Sequence, residues 1–342
     1  MMRCSVKKTL FLLLNKIPFL IEIKTYTAKD KQCWNEFVAS AKNATFLFNR
    51  DFMDYHNDRF TDRSLMCCNE GRLVAVLPAN IKGNHLYSHQ GLTYGGIVFQ
   101  DNTTLLDAFE IYKSMLIYLH QNGIESLTVK VIPTFYNQLP SDELEYFLFK
   151  SNAKLITRDV LMVIDYNHQL KFKKNRREGI NKAKRHGLTL KVEANYDTFW
   201  NEILIPNLNK KHNVNPVHTL PEITQLSKKF PDNIKQVNVY KDNKLVAGST
   251  VFLTKTTIHP QYVSGNGDKN KYGSLDLLYD YIINHYRKDK RYFDFNISSE
   301  DNGSVINQGL VFWKEGCGAR SFVANTYNVA TKIGESLKLD LK

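Results

Sequence analysis

Cysteine is scarce: the chain has five in 342 residues. The number is odd and Cys67 and Cys68 are adjacent, so a disulfide scaffold is excluded and reduced thiols in a cytoplasmic protein are expected. There is no Cys-x-x-Cys and no tight His/Cys cluster, so no metal is expected. Only 17 glycines and 9 prolines are present, which excludes collagen-like and low-complexity classes. No segment has 18 uninterrupted apolar residues, so no transmembrane helix is expected. Near the start, Leu10–Leu14 and Ile17–Ile21 follow Arg3, Lys7 and Lys8 and resemble a leader. Asn15, Lys16 and Pro18 break the run and no small-x-small site follows, so residues 1–20 read as an extension rather than a signal or anchor. Acidic residues are also short, 34 Asp+Glu against 46 Lys+Arg, leaving a net charge of +12. By contrast, 18 Tyr, 20 Phe and 3 Trp supply too much burial for a disordered chain, and the length suits two domains.

A duplication organises the rest. Asn69-Glu-Gly-Arg-Leu-Val-Ala-Val76 and Lys241-Asp-Asn-Lys-Leu-Val-Ala-Gly248 each read as a turn into a strand. A second strand and a glycine loop follow in both, His85 to Gly91 and His259 to Gly265. Apolar residues at helical spacing come next, Leu105 to Leu119 and Leu275 to Tyr286, then β-rich strands at Leu127–Ile132 and Tyr292–Asn296. Repetition of strand, strand, strand, helix, strand predicts an α/β fold with a mixed sheet, built twice. The expected division is 1–20 extension, 21–165 first domain and 166–342 second domain. No Gly/Ser/Pro-rich linker separates the halves, so a shared cleft is expected, a favoured place for ligands.

Three stretches carry a family resemblance: Tyr87-Ser-His-Gln-Gly-Leu-Thr-Tyr-Gly-Gly96, Arg176-Arg-Glu-Gly-Ile-Asn-Lys-Ala-Lys-Arg-His-Gly187 and Asn307-Gln-Gly-Leu-Val-Phe-Trp-Lys-Glu-Gly-Cys-Gly-Ala-Arg320. In order and spacing they resemble the GNAT-like acyltransferases, in the tandem form of the Fem-type aminoacyltransferases. Trp313 before the lysine and Cys317 in place of an aromatic depart from the family's ending. The resemblance implies two tandem GNAT-like domains, the first on the acceptor side and the second on the acyl-donor side. It implies acyl transfer from acyl-CoA or aminoacyl-tRNA, as co-substrate rather than bound cofactor, to an amine of a sugar, a cell-envelope precursor or a small molecule. The absence of sustained heptads leans the reading toward CoA. A Fem-type tRNA-dependent transfer to a peptidoglycan precursor and a non-catalytic nucleotide-sugar or RNA module remain the alternatives.

Residues for these roles follow. Gly273 and Ser274 open a helix whose free N–H groups could cradle a pyrophosphate, with Lys271 nearby; a plain helix cap is the alternative. Tyr262, at a strand end, joins this donor set. From Lys171 to Arg185 there are eight Lys/Arg and one Glu. Arg176 and Arg177 are the expected phosphate contacts, whether the anion is a nucleotide-linked or other small acceptor, CoA or tRNA; a solvated helix face is the alternative. Peripheral membrane contact is also left open.

Alternation puts Asp294 on the strand face opposite Phe293 and Phe295, where it could bind or deprotonate an amine. Lys314, in the apolar run Leu310–Trp313, is expected to stabilise an oxyanion or hold a phosphate, with an ion pair to Glu300 or Glu315 as the alternative. His89 and Tyr94, on the glycine-bracketed turn, are expected to read the acceptor. His212 and His218 are weaker acceptor contacts that the resemblance places on a substrate-facing loop. Thr219 and Glu222 beside them have capping-box spacing.

Overall fold

The two hairpins read from the sequence close on two-residue loops with positive φ throughout: Glu70 (49°) and Gly71 (75°), then Asp242 (48°) and Asn243 (63°). Turns of this kind match the right-handed twist of the strands they join. A computed structural model describes residues 21–342, so the extension at 1–20 lies outside the described residues.

The first half comprises β1 (Ile21–Thr25), α1 (Lys31–Ser40), α2 (Arg50–Met53), β2 (Thr61–Asp62), the hairpin β3–β4 (Leu65–Asn69, Arg72–Leu77), β5 (Asn80–Lys82) and β6 (His85–Tyr87). It continues with β7 (Val98–Phe99), α3 (Leu105–Gln121), β8 (Ser126–Lys130), α4 (Glu143–Lys150) and β9 (Lys154–Asp165). The second half opens with α5 (Lys174–Arg185), β10 (Thr189–Val192), α6 (Asp197–Phe199), α7 (Ile205–His212) and α8 (Leu220–Lys229). The hairpin β11–β12 (Ile234–Lys241, Lys244–Leu253), β13 (Thr257–Gly265), α9 (Lys269–Tyr272) and α10 (Ser274–His285) follow. Then come β14 (Tyr292–Ile297), the short pair β15–β16 (Ser299–Glu300, Val305–Ile306), α11 (Gln308–Gly316) and β17 (Arg320–Ala330).

Both halves form one mixed sheet of eleven strands, ordered β10-β11-β12-β13-β14-β9-β17-β8-β6-β5-β2. Each half has one parallel pair bridged by its long helix, β6 with β8 across α3 and β13 with β14 across α9–α10. The last strand of each half crosses over. β9 pairs antiparallel with β14 of the second half, β17 pairs antiparallel with β8 of the first, and the two pair with each other. This exchange places the ends of four strands from both halves side by side. The repeat is not perfect. In the second half the hairpin stays in the large sheet, whereas Pro78, which has no N–H for a ladder, follows β4, and β1-β3-β4-β7 form a separate sheet.

The helices form where the apolar period predicts. In α3, Ile111, Tyr112, Met115, Leu116 and Leu119 are buried on one face, and Thr104 caps its start by accepting from Asp107 N–H. The capping box of α8 is formed, with Thr219 Oγ1 accepting from Glu222 N–H and Glu222 accepting from Thr219 N–H at 2.7 Å. One apolar core lies around α3 and α4 and includes Val329 and Leu337 from the end of the chain. A second lies between α5, α10 and the second-half strands. A third joins the halves, with Phe48, Phe52 and Tyr94 from the first against Trp200, Phe252 and Tyr262 from the second. Among the described residues no helix is long and apolar enough to cross a membrane.

Candidate functional site

β13 and β14 are paired only at Thr257–Tyr292 and Ile258–Phe293, after which they part. Both are irregular just beyond that point. The β12–β13 register slips so that Gln261 is an extra residue, and the β14–β9 register slips between Asp294 and Ile297, where Asn296 has φ of 69°. Bulges re-aim side chains at strand ends. Here they point His259 and Asp294 at one another, with Asp294 Oδ2 accepting from His259 Nδ1 at 3.1 Å. The Tyr136 hydroxyl donates to the same oxygen at 2.8 Å, and Asp294 Oδ1 accepts from Asn296 N–H at 2.7 Å. Asp294 thus has both oxygens engaged inside the protein, and burial beside it pushes the Tyr136 phenol well above its usual range. In the tautomer whose Nδ1 donates to the carboxylate, Nε2 is the acceptor. That nitrogen is buried without a hydrogen-bond partner.

Three cavities that share Lys130 adjoin one another, and Asp294 lines one of them. The largest, about 360 Å³, lies over the four central strands. Its lining takes alternate residues of β9, Thr157, Asp159 and Leu161, with Ala324, Asn325 and Thr326 of β17 and Asp294, Asn296 and Ile297 of β14. Tyr94 and Tyr136 stand in its wall, ring centroids 4.5 Å apart. Behind them His259 and Gln261 line a void of about 10 Å³. Gln261 also lines a second cavity of about 180 Å³, with His218, Val217 and the Gln90–Thr93 turn. A third, about 260 Å³, is lined by Tyr87 to Gln90, Thr128 and Thr326. Lys130 lines all three.

The sequence reading pointed to part of this site. Asp294 is buried on the face away from Phe293 and Phe295 as alternation requires, but it orients His259 rather than standing free. Tyr94 lines the main cavity and donates to Thr45 Oγ1 at 3.0 Å. Its turn is possible because Gly95 lies against Ser88, whose carbonyl would be 2.1 Å from any Cβ. His89 lines the third cavity and His218 the second. Both belong to a buried stack, with Tyr55 between His218 (4.9 Å) and His56 (4.2 Å), and His56 against His89 (4.7 Å). Burial lowers the pKa of both His89 and His218 to about 3 and that of His56 below its usual value. Tyr262 is not at the start of α10; its hydroxyl is 2.6 Å from His218 Nδ1 and accepts from His218 N–H. His212 ends α7, and its side chain lies outside the described residues.

The other candidates are elsewhere. Lys314 is buried on α11, and its ammonium donates to Asn296 O (2.9 Å), Ile297 O (2.8 Å) and Ser298 Oγ (2.8 Å). It ties down the back of the β14 bulge instead of facing the cavity or pairing with Glu300 or Glu315. Desolvation lowers its pKa to about 8, opposed by the charge of Asp294. Gly273 and Ser274 do begin α10, but α5 covers them: Ser274 is fully buried, and a Cβ on Gly273 would stand 2.3 Å from Gly179 O. The start of this helix is therefore a helix–helix contact rather than an open anion cradle. Arg176 is spent in the same contact, donating to Asp276 Oδ1 at 2.6 Å. Arg177 and Lys271 are exposed, with Lys271 over the Tyr272 ring. None of these residues lines the three cavities.

Lys130, Tyr136 and His259 carry the site's geometry, and sequence alone does not single out Lys130 or Tyr136. A lysine among the β-branched and apolar residues of Leu127–Ile132 was the available signal. Among the described residues no group of three or more His, Cys, Asp or Glu side chains could hold a metal ion.

The architecture is similar to that of FemX, with a TM-score of 0.62 over 91% of this chain and 98% of that one, at 10% identity. The fold is that of FemX, with one α/β unit built twice in tandem. L-PGS from Bacillus licheniformis is similar over 88% of this chain and 91% of its own (TM-score 0.58, 14% identity). So is the C-terminal domain of a candidate lysylphosphatidylglycerol synthetase from Agrobacterium fabrum, over 91% and 94% (TM-score 0.56, 14% identity). No family model and no curated protein sequence matches the chain.

Proposed function

We propose that the protein is an acyltransferase in which His259, oriented by Asp294, accepts the proton of an attacking amine. The observation that carries this is the buried Asp294–His259 pair at the parting of β13 and β14: Asp294 lines the 360 Å³ cavity, and the unpartnered Nε2 belongs to a histidine that lines a void of about 10 Å³ walled off from it by Thr93, Tyr94 and Tyr136. A carboxylate that holds one ring nitrogen sets the other as a base. In the reaction the amine nitrogen bonds to the acyl carbon, the carbon–sulfur or carbon–oxygen bond of the donor breaks, and His259 takes the amine proton. The protonated His259 then gives that proton to the leaving thiolate or alkoxide, which restores the neutral ring. The same arrangement serves a CoA thioester or an aminoacyl-tRNA ester, with no enzyme-bound intermediate. On this reading residues 21–165 present the acceptor and residues 166–342 the donor. The fold shared with FemX and with a named lysylphosphatidylglycerol synthetase supports a transferase that works on cell-envelope material.

The test is calorimetric titration with acetyl-CoA and, separately, with aminoacyl-tRNA. Amide formation is then followed by mass spectrometry on a panel of amines with whichever donor binds. Binding of one donor and product formation that His259→Gln abolishes are expected. Binding of neither donor would overturn the reading in favour of a non-catalytic module.

A further inference from the structure

Buried cations in this protein end on carboxylates or, as Lys314 does, on several neutral acceptors at once. Lys42 meets Glu143 at 2.5 Å, Arg50 meets Asp54 and Asp62 at 2.8 Å each, and Arg176 meets Asp276. Lys130 does neither. Its ammonium has three protons to donate, and the contact it makes is to a neutral acceptor, Leu92 O at 3.0 Å. No carboxylate lies within ion-pair distance of it among the described residues.

The surroundings are built to match. Lys130 projects where the 360, 180 and 260 Å³ cavities meet, and Thr93 and Thr326 each line two of the three. Thr128 and His89 add a hydroxyl and an imidazole whose Nδ1 is buried without a partner. No acidic side chain lines the 180 or 260 Å³ cavity, whereas Asp159 and Asp294 both line the largest. The site therefore has an acidic end and a basic end, with Thr93 in the wall between.

We propose that Lys130 anchors an oxyanion, a carboxylate or phosphate, of the acceptor, so that the acceptor carries an amine at one end and this anion at the other. An ammonium flanked by hydroxyls is the chemistry that recognises such groups. Burial without a paired charge lowers the Lys130 pKa, a cost that a bound anion would offset. The placement of the amine end rests on the acyl-transfer reading; the anion site itself does not.

The test uses the full chain without any acyl donor. Inorganic phosphate and acetate are titrated separately at constant ionic strength, with sodium chloride as the balancing salt, and thermal midpoints are recorded. A saturable rise with either anion is expected. It should persist in Lys130→Arg and in His259→Gln, and the apparent affinity should fall at least tenfold in Lys130→Gln. A second measurement needs no variant: acetylation of Lys130 by a small amine-reactive ester, followed by mass spectrometry, should slow severalfold when the binding anion is present. Which anion acts identifies the group as carboxylate or phosphate. If neither anion gives a saturable effect, if Lys130→Gln responds like the parent, or if Lys130 is not protected, the proposal is wrong. Loss of acyl transfer with retained anion binding would instead count against the catalytic reading alone.

Discussion

Asp294 and His259 lie on neighbouring parallel strands just after these separate, and the carboxylate of the first holds the imidazole of the second at 3.1 Å. Two bulges and the Tyr136 hydroxyl keep them there.

His259→Gln and Asp294→Asn should each lower kcat by about 10²- to 10⁴-fold while changing KM little. The double variant should be scarcely worse than either single one, because the two side chains act as a unit. Steady-state kinetics of amide formation checks this. Near-normal turnover in Asp294→Asn would remove Asp294 from its positioning role.

Lys314→Met should destabilise the protein, because Asn296 O, Ile297 O and Ser298 Oγ lose their shared donor. The expected cost is about 1–3 kcal/mol, read from the urea midpoint. Turnover should also fall, since the same bulge aims Asp294. A variant with unchanged stability and no turnover would return Lys314 to a direct chemical role.

Arg176→Met strands the largely buried Asp276 at the start of α10 and should cost about 3 kcal/mol, partly recovered by adding Asp276→Asn. Desolvation already raises the Asp276 pKa against the pull of Arg176. Gly273→Ala should be at least as damaging, since φ is 70° and the new methyl would meet Gly179 O. Arg177→Gln, on the exposed face, should stay within about 0.5 kcal/mol. Chemical denaturation of the four variants distinguishes a structural contact from a phosphate clamp.

Acid should destabilise the protein through the buried histidine stack. His89 and His218 have pKa values lowered to about 3, below the ordinary 6.5, so the unfolded chain binds more protons between those values. Stability contributed by their neutral burial is therefore full above about pH 6.5 and is lost as pH falls toward 3. Near pH 5 the slope from each should be about 1.4 kcal/mol per pH unit. Urea midpoints from pH 7 to pH 4.5 should show this steep fall, and His89→Asn should flatten it by about one histidine's share.

Much of the architecture was legible because it is local. The α3 and α10 faces follow a 3.6-residue apolar period, the two hairpin turns sit where Glu70-Gly71 and Asp242-Asn243 stand, and Thr219 with Glu222 caps α8. Asp294 was legible for the same reason, since alternation sets which face of a strand a residue takes. Arg176, Gly273, Ser274 and Lys314 stand in settings that suggest a ligand site when only their neighbours in sequence are considered. Their partners, Asp276, Gly179 and the carbonyls of Asn296 and Ile297, are brought to them only by packing. A lysine in a strand usually reaches solvent, so Lys130 carries no local signal of its burial.

The sequence by itself determined the elements, their order and their near-repetition, since these depend on side-chain period and turn residues within a few positions. Tertiary structure decided that β9 and β17 change sides and complete one sheet. It also decided which charges are neutralised by the protein and which, like Lys130, are left for a ligand. Those outcomes depend on burial and on contacts between residues far apart in the chain, where the balance between desolvation and a charged partner is set.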